Sequence, residues 1–465
     1  MSIMTKFWLL IVGVALSSAV CADYPSTYDP PPHAAFVLTH AIVDVGEGQG
    51  EFEGWVSVAD GKIVGIGMMD DARPDDVLEI NAGGRWLTPG VIDVHSHLGD
   101  YPSPGYRAHS DGNEATSPVT AEVWAEHSVW PQDPQFPLAL KGGVTTLQVL
   151  PGSANLFGGR SVVLKNIWSR TVQGMKFPGA PYGLKMACGE NPKRVYGSRS
   201  QSPSTRMGNF AGYRKAWIDA QEYQRKWVRF EKALGEYELW RTSNDGETDY
   251  KEPPSPPKRN LQMETLVGVL KGEILVHNHC YRADEMAQII DLSREFGYQV
   301  TAFHHAVEAY KIGDLLAANN ICSAMWADWW QFKLESFDGI KENVAMVQAA
   351  GACAIVHSDS ATGIQRLNQE AAKAMAAGQR LGLSVDASVA LTWITRNAAQ
   401  ALGVADQTGT LAVGKMADMV LWSHPPMSVY ARAETVFIDG VRRLDRAAGL
   451  GPVTDFELGQ REEVF

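Results

Sequence analysis

Seven of the twelve histidines in the 465-residue chain fall in four short apolar stretches. GVIDVHSH carries His95 and His97, ILVHNHC carries His277 and His279, QVTAFHH ends on His304 and His305, and CAIVHSDS carries His357 and Asp359. Side chains alternate along a strand, so His95 and His97, His277 and His279, and His357 and Asp359 each share a face. One HxH pair is as compatible with hydrogen-bonded core histidines as with metal binding. Four histidine-bearing stretches argue for convergence instead. Imidazoles with a carboxylate form a donor set suited to zinc or a neighbouring first-row ion, bound at about 2 Å.

The elements that would bring these stretches together are legible in the spacing. From Pro89 to about residue 408, short apolar runs (GVIDVHSH, GVTTLQVL, YGLKMACG, EILVHNH, QVTAFHH, CAIVHSD) alternate with helix-length segments, the pattern of βα units. A closed parallel barrel places the C-terminal ends of its strands around one volume, which is where the histidines lie. Residues 35–88 and 409–446 read as turn-rich β segments, with Asp-Gly and Gly-Gly between the first group of strands, so the two chain ends are expected to meet in one β layer outside the barrel. Between about residues 190 and 261 no strand is evident. Apolar residues at Trp217, Ala220, Tyr223, Trp227, Phe230 and Leu234 predict a helix over Tyr213–Trp240, and the polar, proline-rich SNDGETDYKEPPSPPKRN reads as a mobile loop. An insertion at a barrel strand end is placed to form a lid or a wall of the site.

Composition bounds the function. Lys and Arg total 41 against 53 for Asp and Glu, a net charge of −12, so a nucleic-acid surface is not expected. Lys6, the apolar run Phe7–Val20 and small residues up to Ala22 predict a cleavable signal peptide over residues 1–22, and hence a periplasmic or secreted protein. The run is shorter than the roughly 20 residues that span a bilayer, and no stable membrane span is expected. Cys188, Cys280, Cys322 and Cys353, far apart and without a CxxC pair, read as free core cysteines. A homo-oligomer is left open.

Taken together, LTPGVIDVHSH, GGVTTLQVLPGSANLFGG, LKMACGENPKR, HNHCYRADE, FHHAVEA, HSDS and TRNAAQALGVADQTGTLAVGKMADMVLW with its FIDG ending resemble the amidohydrolase superfamily, in its imidazolonepropionase-like and Xaa-Pro dipeptidase-like branch. The likeness runs from about Ala35 to Leu444. It implies a distorted (β/α)8 TIM barrel with a small β-sandwich built from both chain ends. It also implies one or two divalent ions held by His95, His97, His279, His305 and Asp359, with Lys185 or Glu190 as the further ligand. His279 is preferred to His277, and His305 to His304, because HCYRADE and HAVEA match the family's motifs. Neighbours on a strand face opposite ways, so His304 and His305 do not both face the ion without a bulge. Lys185 sits in the apolar run LKMAC, where a bare ammonium is costly, and the family's alternative is a lysine carboxylated by carbon dioxide.

The activity so implied is hydrolysis of a C–N bond in a small amide or peptide-like substrate: a dipeptide, an acyl-amino acid or a cyclic amide. Asp359 would take the proton of the attacking water and pass it to the leaving nitrogen, and His304 or His357 would stabilise the oxyanion unless each is a packed core histidine. Substrate contacts are sought at Tyr106, Arg107, His109 and Asn113 after the first strand, and at Asn155 in PGSANLFGG. Arg194, Tyr196 and Arg282 are candidates for binding a carboxylate. A metal-dependent deaminase and a non-catalytic exported binding protein on the same barrel are the alternatives.

Overall fold

The computed structural model describes residues 24–243 and 251–450. The expected signal peptide, residues 1–22, lies outside them, as do residues 244–250 of the expected loop. Among the described residues, no helix is long and apolar enough to cross a membrane.

Both chain ends build one sheet. Strands β1 (Phe36–Asp44), β2 (Glu51–Ala59), β3 (Lys62–Met68), β4 (Leu78–Asn81) and β5 (Trp86–Pro89) come from the first part. The barrel strands follow: β6 (Val91–Ser96), β7 (Val144–Val149), β8 (Phe157–Lys165), β9 (Gly183–Ala187), β10 (Leu275–Cys280), β11 (Ala302–His305), β12 (Cys322–Met325) and β13 (Cys353–Val356). β14 (Met419–Trp422), β15 (Ala433–Ile438) and β16 (Val441–Asp445) return to the first sheet, where β14 pairs antiparallel with β5, Trp422 opposite Trp86. Phe36, Val56, Leu87, Met419 and Phe437 pack in the core of that layer.

The barrel sheet runs from β6 to β13 in chain order and is nearly closed. At the seam Ser358 N–H donates to Asp93 Oδ1 at 3.2 Å and Asp359 N–H donates to His95 O at 3.0 Å. Every residue of β6, β7, β8 and β9 is buried, as expected of strands covered on both faces. Six barrel strands match the apolar runs in the sequence. The other two, β8 and β12, were not recognisable there. β8 also runs antiparallel to both neighbours, which is one source of the barrel's distortion.

The cysteines correct the sequence reading. Cys188 is bonded to Cys280 and Cys322 to Cys353. Separations of 92 and 31 residues conceal that β12 pairs with β13 with Cys322 opposite Cys353, and that the ends of β9 and β10 lie side by side. In the insertion the predicted helix spans Arg206–Ser243, longer than the stripe suggested. Its first half buries Tyr213, Trp217, Ala220 and Tyr223, whereas Trp227, Phe230 and Leu234 are half-buried. Residues 251–260 have no regular structure.

Candidate active site

The barrel's C-terminal rim surrounds a cavity of about 410 Å³, lined by His95, His97, Lys185, Glu190, His279, His305 and Asp359 among others. Asp359 contacts three of these histidines. Asp359 Oδ1 is 3.3 Å from His97 Nε2 and 3.6 Å from His95 Nε2, and Oδ2 is 3.9 Å from His305 Nδ1. Lys185 Nζ stands 3.4 Å from His95 Nε2. The His279 ring lies 4.5 Å from that of His305, and its Nε2 is 3.4 Å from the Asn191 amide nitrogen.

Backbone strain sets two of these side chains. Asp359 has φ +46 and His305 has φ +70, both in the left-handed region that costs a non-glycine residue of order 1–3 kcal/mol. The departure from β geometry at His305 is how adjacent His304 and His305 both turn inward, the irregularity that the alternation rule requires. His305 is further held between the rings of Tyr281, at 5.2 Å, and Trp326, at 4.4 Å.

The hydrogen bonds behind the cluster select which nitrogen each ligand candidate presents. His97 Nδ1 is 2.8 Å from Leu150 O, a carbonyl, so Nδ1 donates there and Nε2, which faces Asp359, is the nitrogen presented to the cavity. His95 Nδ1 lies 2.8 Å from His304 Nδ1, and His304 Nε2 lies 2.9 Å from His277 Nδ1. Burial holds the imidazoles of His95 and His279 well below their usual pKa, reinforced by Lys185 at His95 and by Lys333 and then Lys185 at His279, and burial does the same for His304 and His305. They are therefore neutral, the form that binds a metal ion. Burial also drives Lys185 down to about 7 from 10.5, with Asp359 opposing. Asp359, despite its burial, is held below its usual value by the hydrogen bond and charge of His97, with His357 and Lys185 adding to it. Among the described residues, Nδ1 of His279 and Nδ1 of His305 are buried without a hydrogen-bond partner. Neutral imidazoles, an ionised carboxylate and unpartnered ring nitrogens in one cavity fit a divalent ion. His95, His97 and Asp359 form one group whose ligand atoms all lie within 4.8 Å of one another, and His95, His305 and His357 form a second.

Comparisons with known proteins point the same way. A model of the amidohydrolase family matches residues 86–443. Amidohydrolase tasK of Hapsidospora irregularis is 33% identical over 386 residues, covering 80% of this chain and 38% of tasK, so the chain spans little more than a third of that relative. The crystal structure of an amidohydrolase from Thermotoga maritima MSB8 is 33% identical with a TM-score of 0.76, covering 88% of this chain and 100% of that one. The imidazolonepropionase of Rhizobium rhizogenes is 22% identical over 438 residues, covering 85% and 89%. The chain belongs to the amidohydrolase family.

Within this amidohydrolase the other candidates fall into two groups. Asn113 and Arg194 line the cavity with the cluster. Glu190 lines it too, with its Oε1 3.9 Å from Lys333 Nζ. Tyr106, Arg107 and His109 are exposed on a short turn outside the cavity. Asn155 is buried, donating to Thr120 Oγ1 at 2.6 Å and Glu114 O at 2.8 Å, and buried Tyr196 donates to Ser117 O at 2.6 Å. Arg282 donates to Asp284 Oδ1 at 3.1 Å, away from the cavity. Neither His304 nor His357 lines the cavity; His304 Nδ1 contacts His95 Nδ1 at 2.8 Å, and His357, a member of the second group, accepts from the His305 N–H through Nε2 at 3.2 Å.

The cavity also contains residues the sequence did not single out: Tyr101, Ser153, Asn191, Tyr281, Phe332 and Lys333. Lys333 Nζ sits 3.9 Å from the centroid of the Tyr281 ring and 3.5 Å from Glu335 Oε2. Glu335 packs against Gly189, whose φ is +78 and where a Cβ would lie 2.4 Å from Glu335 Oε1. Only glycine permits that turn, which starts the Glu190–Gly197 helix and aims Glu190, Asn191 and Arg194 at the cavity. The insertion thus supplies a wall of the site.

Proposed function

We propose that this amidohydrolase is an exported, metal-dependent hydrolase, with zinc as the fitting ion, that cleaves a C–N bond of a small amide or peptide-like substrate. The observation that carries the reading is the placing of Asp359 between His95 and His97, with His305 and Lys185 alongside. His95, His97, His279, His305 and Asp359 would hold the ion, with Lys185 joining them when carboxylated. Glu190 is assigned to its pairing with Lys333 rather than to the ion.

The ion, when bound, brings the pKa of a coordinated water towards about 7 and polarises the substrate carbonyl. Asp359, ionised and lodged between two imidazoles, accepts the water's proton and delivers it to the leaving nitrogen. His97, anchored on Leu150 O, keeps Asp359 from rotating away. Asn191 and Lys333 are donors on the cavity wall, suited to the growing negative charge on the substrate oxygen, whereas His304 and His357 do not line the cavity. A binding protein would have no use for a proton carrier so placed.

Export is supported by the order of charged start, apolar run and small residues at 1–22, and by two disulfides, which persist in oxidising compartments. N-terminal sequencing of the secreted or periplasmic fraction should find Asp23 first; a cytoplasmic chain retaining Phe7–Val20 would refute export. A panel of dipeptides, acyl-amino acids, cyclic amides and aminopurines, assayed with the zinc-loaded enzyme, tests the activity. Turnover of an amide supports the reading, and turnover confined to the aminopurines would make the protein a deaminase.

A further inference from the structure

We propose that the segment Trp326–Phe337, after β12, is a subsite for an apolar group on the substrate, an aryl or alkyl substituent on the acyl side of the scissile amide. This inference rests on the amide-hydrolase reading above. Five large apolar side chains within nine residues are exposed: Trp329 by 43%, Trp330 by 48%, Phe332 by 56%, Leu334 by 78% and Phe337 by 58%. Single exposed apolar residues are ordinary, whereas a concentration of them beside a cleft marks a binding surface.

The patch is continuous with the cavity. His305, the ligand candidate, stacks on Trp326 at 4.4 Å and 24°, and Trp326 stacks on Trp329 at 5.1 Å and 15°. A ladder of rings therefore leads from the cluster to the surface. Phe332 belongs both to the cavity wall and to the patch, and its ring lies 5.7 Å from that of Trp326. The segment is also built to hold its shape. Trp326 Nε1 donates to Ser358 O at 3.1 Å, Gln331 N–H donates to Ser336 O at 3.0 Å, and Lys373 pairs with Asp328 at 3.0 Å. A pre-formed apolar surface binds without first being ordered. The floor of the cavity is polar and its lip is aromatic, so the substrate that fits both is an amide with a sizeable hydrophobic substituent.

The experiment uses N-acetyl-, N-hexanoyl- and N-phenylacetyl-L-alanine as probes, titrated calorimetrically into the zinc-loaded full chain carrying Asp359→Asn, so that binding is read without turnover. The hexanoyl and phenylacetyl probes should bind at least about tenfold more tightly than the acetyl probe, since each fully buried methylene is worth about fourfold and the partly exposed patch covers only part of each added group. Adding Trp330→Ser or Phe332→Ser should shrink that ratio to about twofold or less, with zinc content and thermal melting checked on each variant. Equal binding of all three probes, no binding of any, or a ratio untouched by both substitutions would overturn the subsite. So would sedimentation of the parent as a dimer that either substitution dissociates, or its binding to neutral phospholipid vesicles, since the patch would then serve a second copy or a membrane. Apolar preference in binding with no amide turned over by the unsubstituted enzyme would leave the subsite standing and remove the hydrolase reading.

Discussion

His95 leans on His304: their Nδ1 atoms are 2.8 Å apart, and His304 in turn contacts His277 at 2.9 Å. The contact turns Nε2 of His95 towards Asp359 and Lys185. His304 is thus a positioning residue. His304→Phe should fold and still bind zinc, but with affinity lowered by about 10- to 100-fold, the usual cost of losing a ligand's outer partner. Competition with a chromophoric chelator measures it. Unchanged affinity would show that packing alone orients His95.

Asp359→Asn should retain the fold and most of the zinc while losing about 10² to 10⁴ in kcat, because an amide offers an oxygen ligand but carries no proton. His95→Ala is the comparison and should lose metal as well. Metal analysis alongside steady-state rates on any amide the panel identifies distinguishes the two. An Asp359→Asn enzyme at full rate would remove the proton-transfer role.

Lys185 is expected to show itself in pH dependence. Its amine titrates near 7 in the fold and near 10.5 when unfolded, because burial disfavours the charged form. Between those values the unfolded chain binds the extra proton, so this group makes the metal-free protein more stable as pH rises from about 7 to 9. Lys185→Met should flatten that rise in a series of thermal melts. The same neutral amine is the form whose lone pair attacks carbon dioxide, losing a proton to give the carbamate. Zinc uptake by the metal-free protein should therefore depend on bicarbonate, and Lys185→Ala should be partly rescued by short-chain carboxylates. Glu190→Gln should leave zinc stoichiometry intact, and loss of an equivalent would return Glu190 to the ligands.

The disulfides make separable contributions. Each closes a long loop, so Cys188→Ala with Cys280→Ala, or Cys322→Ala with Cys353→Ala, should cost about 2–5 kcal/mol in denaturant unfolding. The first pair should also weaken zinc binding, because Cys280 follows His279 and Cys188 lies between Lys185 and Glu190. Equal zinc affinity in both double variants would leave that disulfide with a purely global role.

The barrel and much of its rim were legible because the histidines end apolar strands, and a buried strand announces itself by apolar continuity. β8 escaped because FGGRSVVLK carries two glycines near its start after a loop-like stretch, and β12 because CSAM is short and weakly apolar. Tyr281, Phe332 and Lys333 were missed since nothing in linear order brings the loop after β12 beside β10. Tyr106, Arg107 and His109 had only the polarity common to any surface loop. The cysteine pairing was hidden for a related reason: adjacency in a barrel depends on strand order, not on spacing in the chain. For His304 the sequence offered an oxyanion donor or a packed core histidine, and the three-ring contact with His95 and His277 is a spatial relation that strand order alone creates.

The most direct test is metal analysis of the purified full chain, joined to amide hydrolysis before chelation, after it and after adding zinc back. One or two equivalents of tightly bound zinc should be found, with hydrolysis abolished by chelation and restored by zinc. A protein that holds no divalent metal after growth in zinc and reconstitution, or that cleaves amides equally well after complete chelation, would contradict the assignment of His95, His97, His279, His305 and Asp359 as a catalytic metal site.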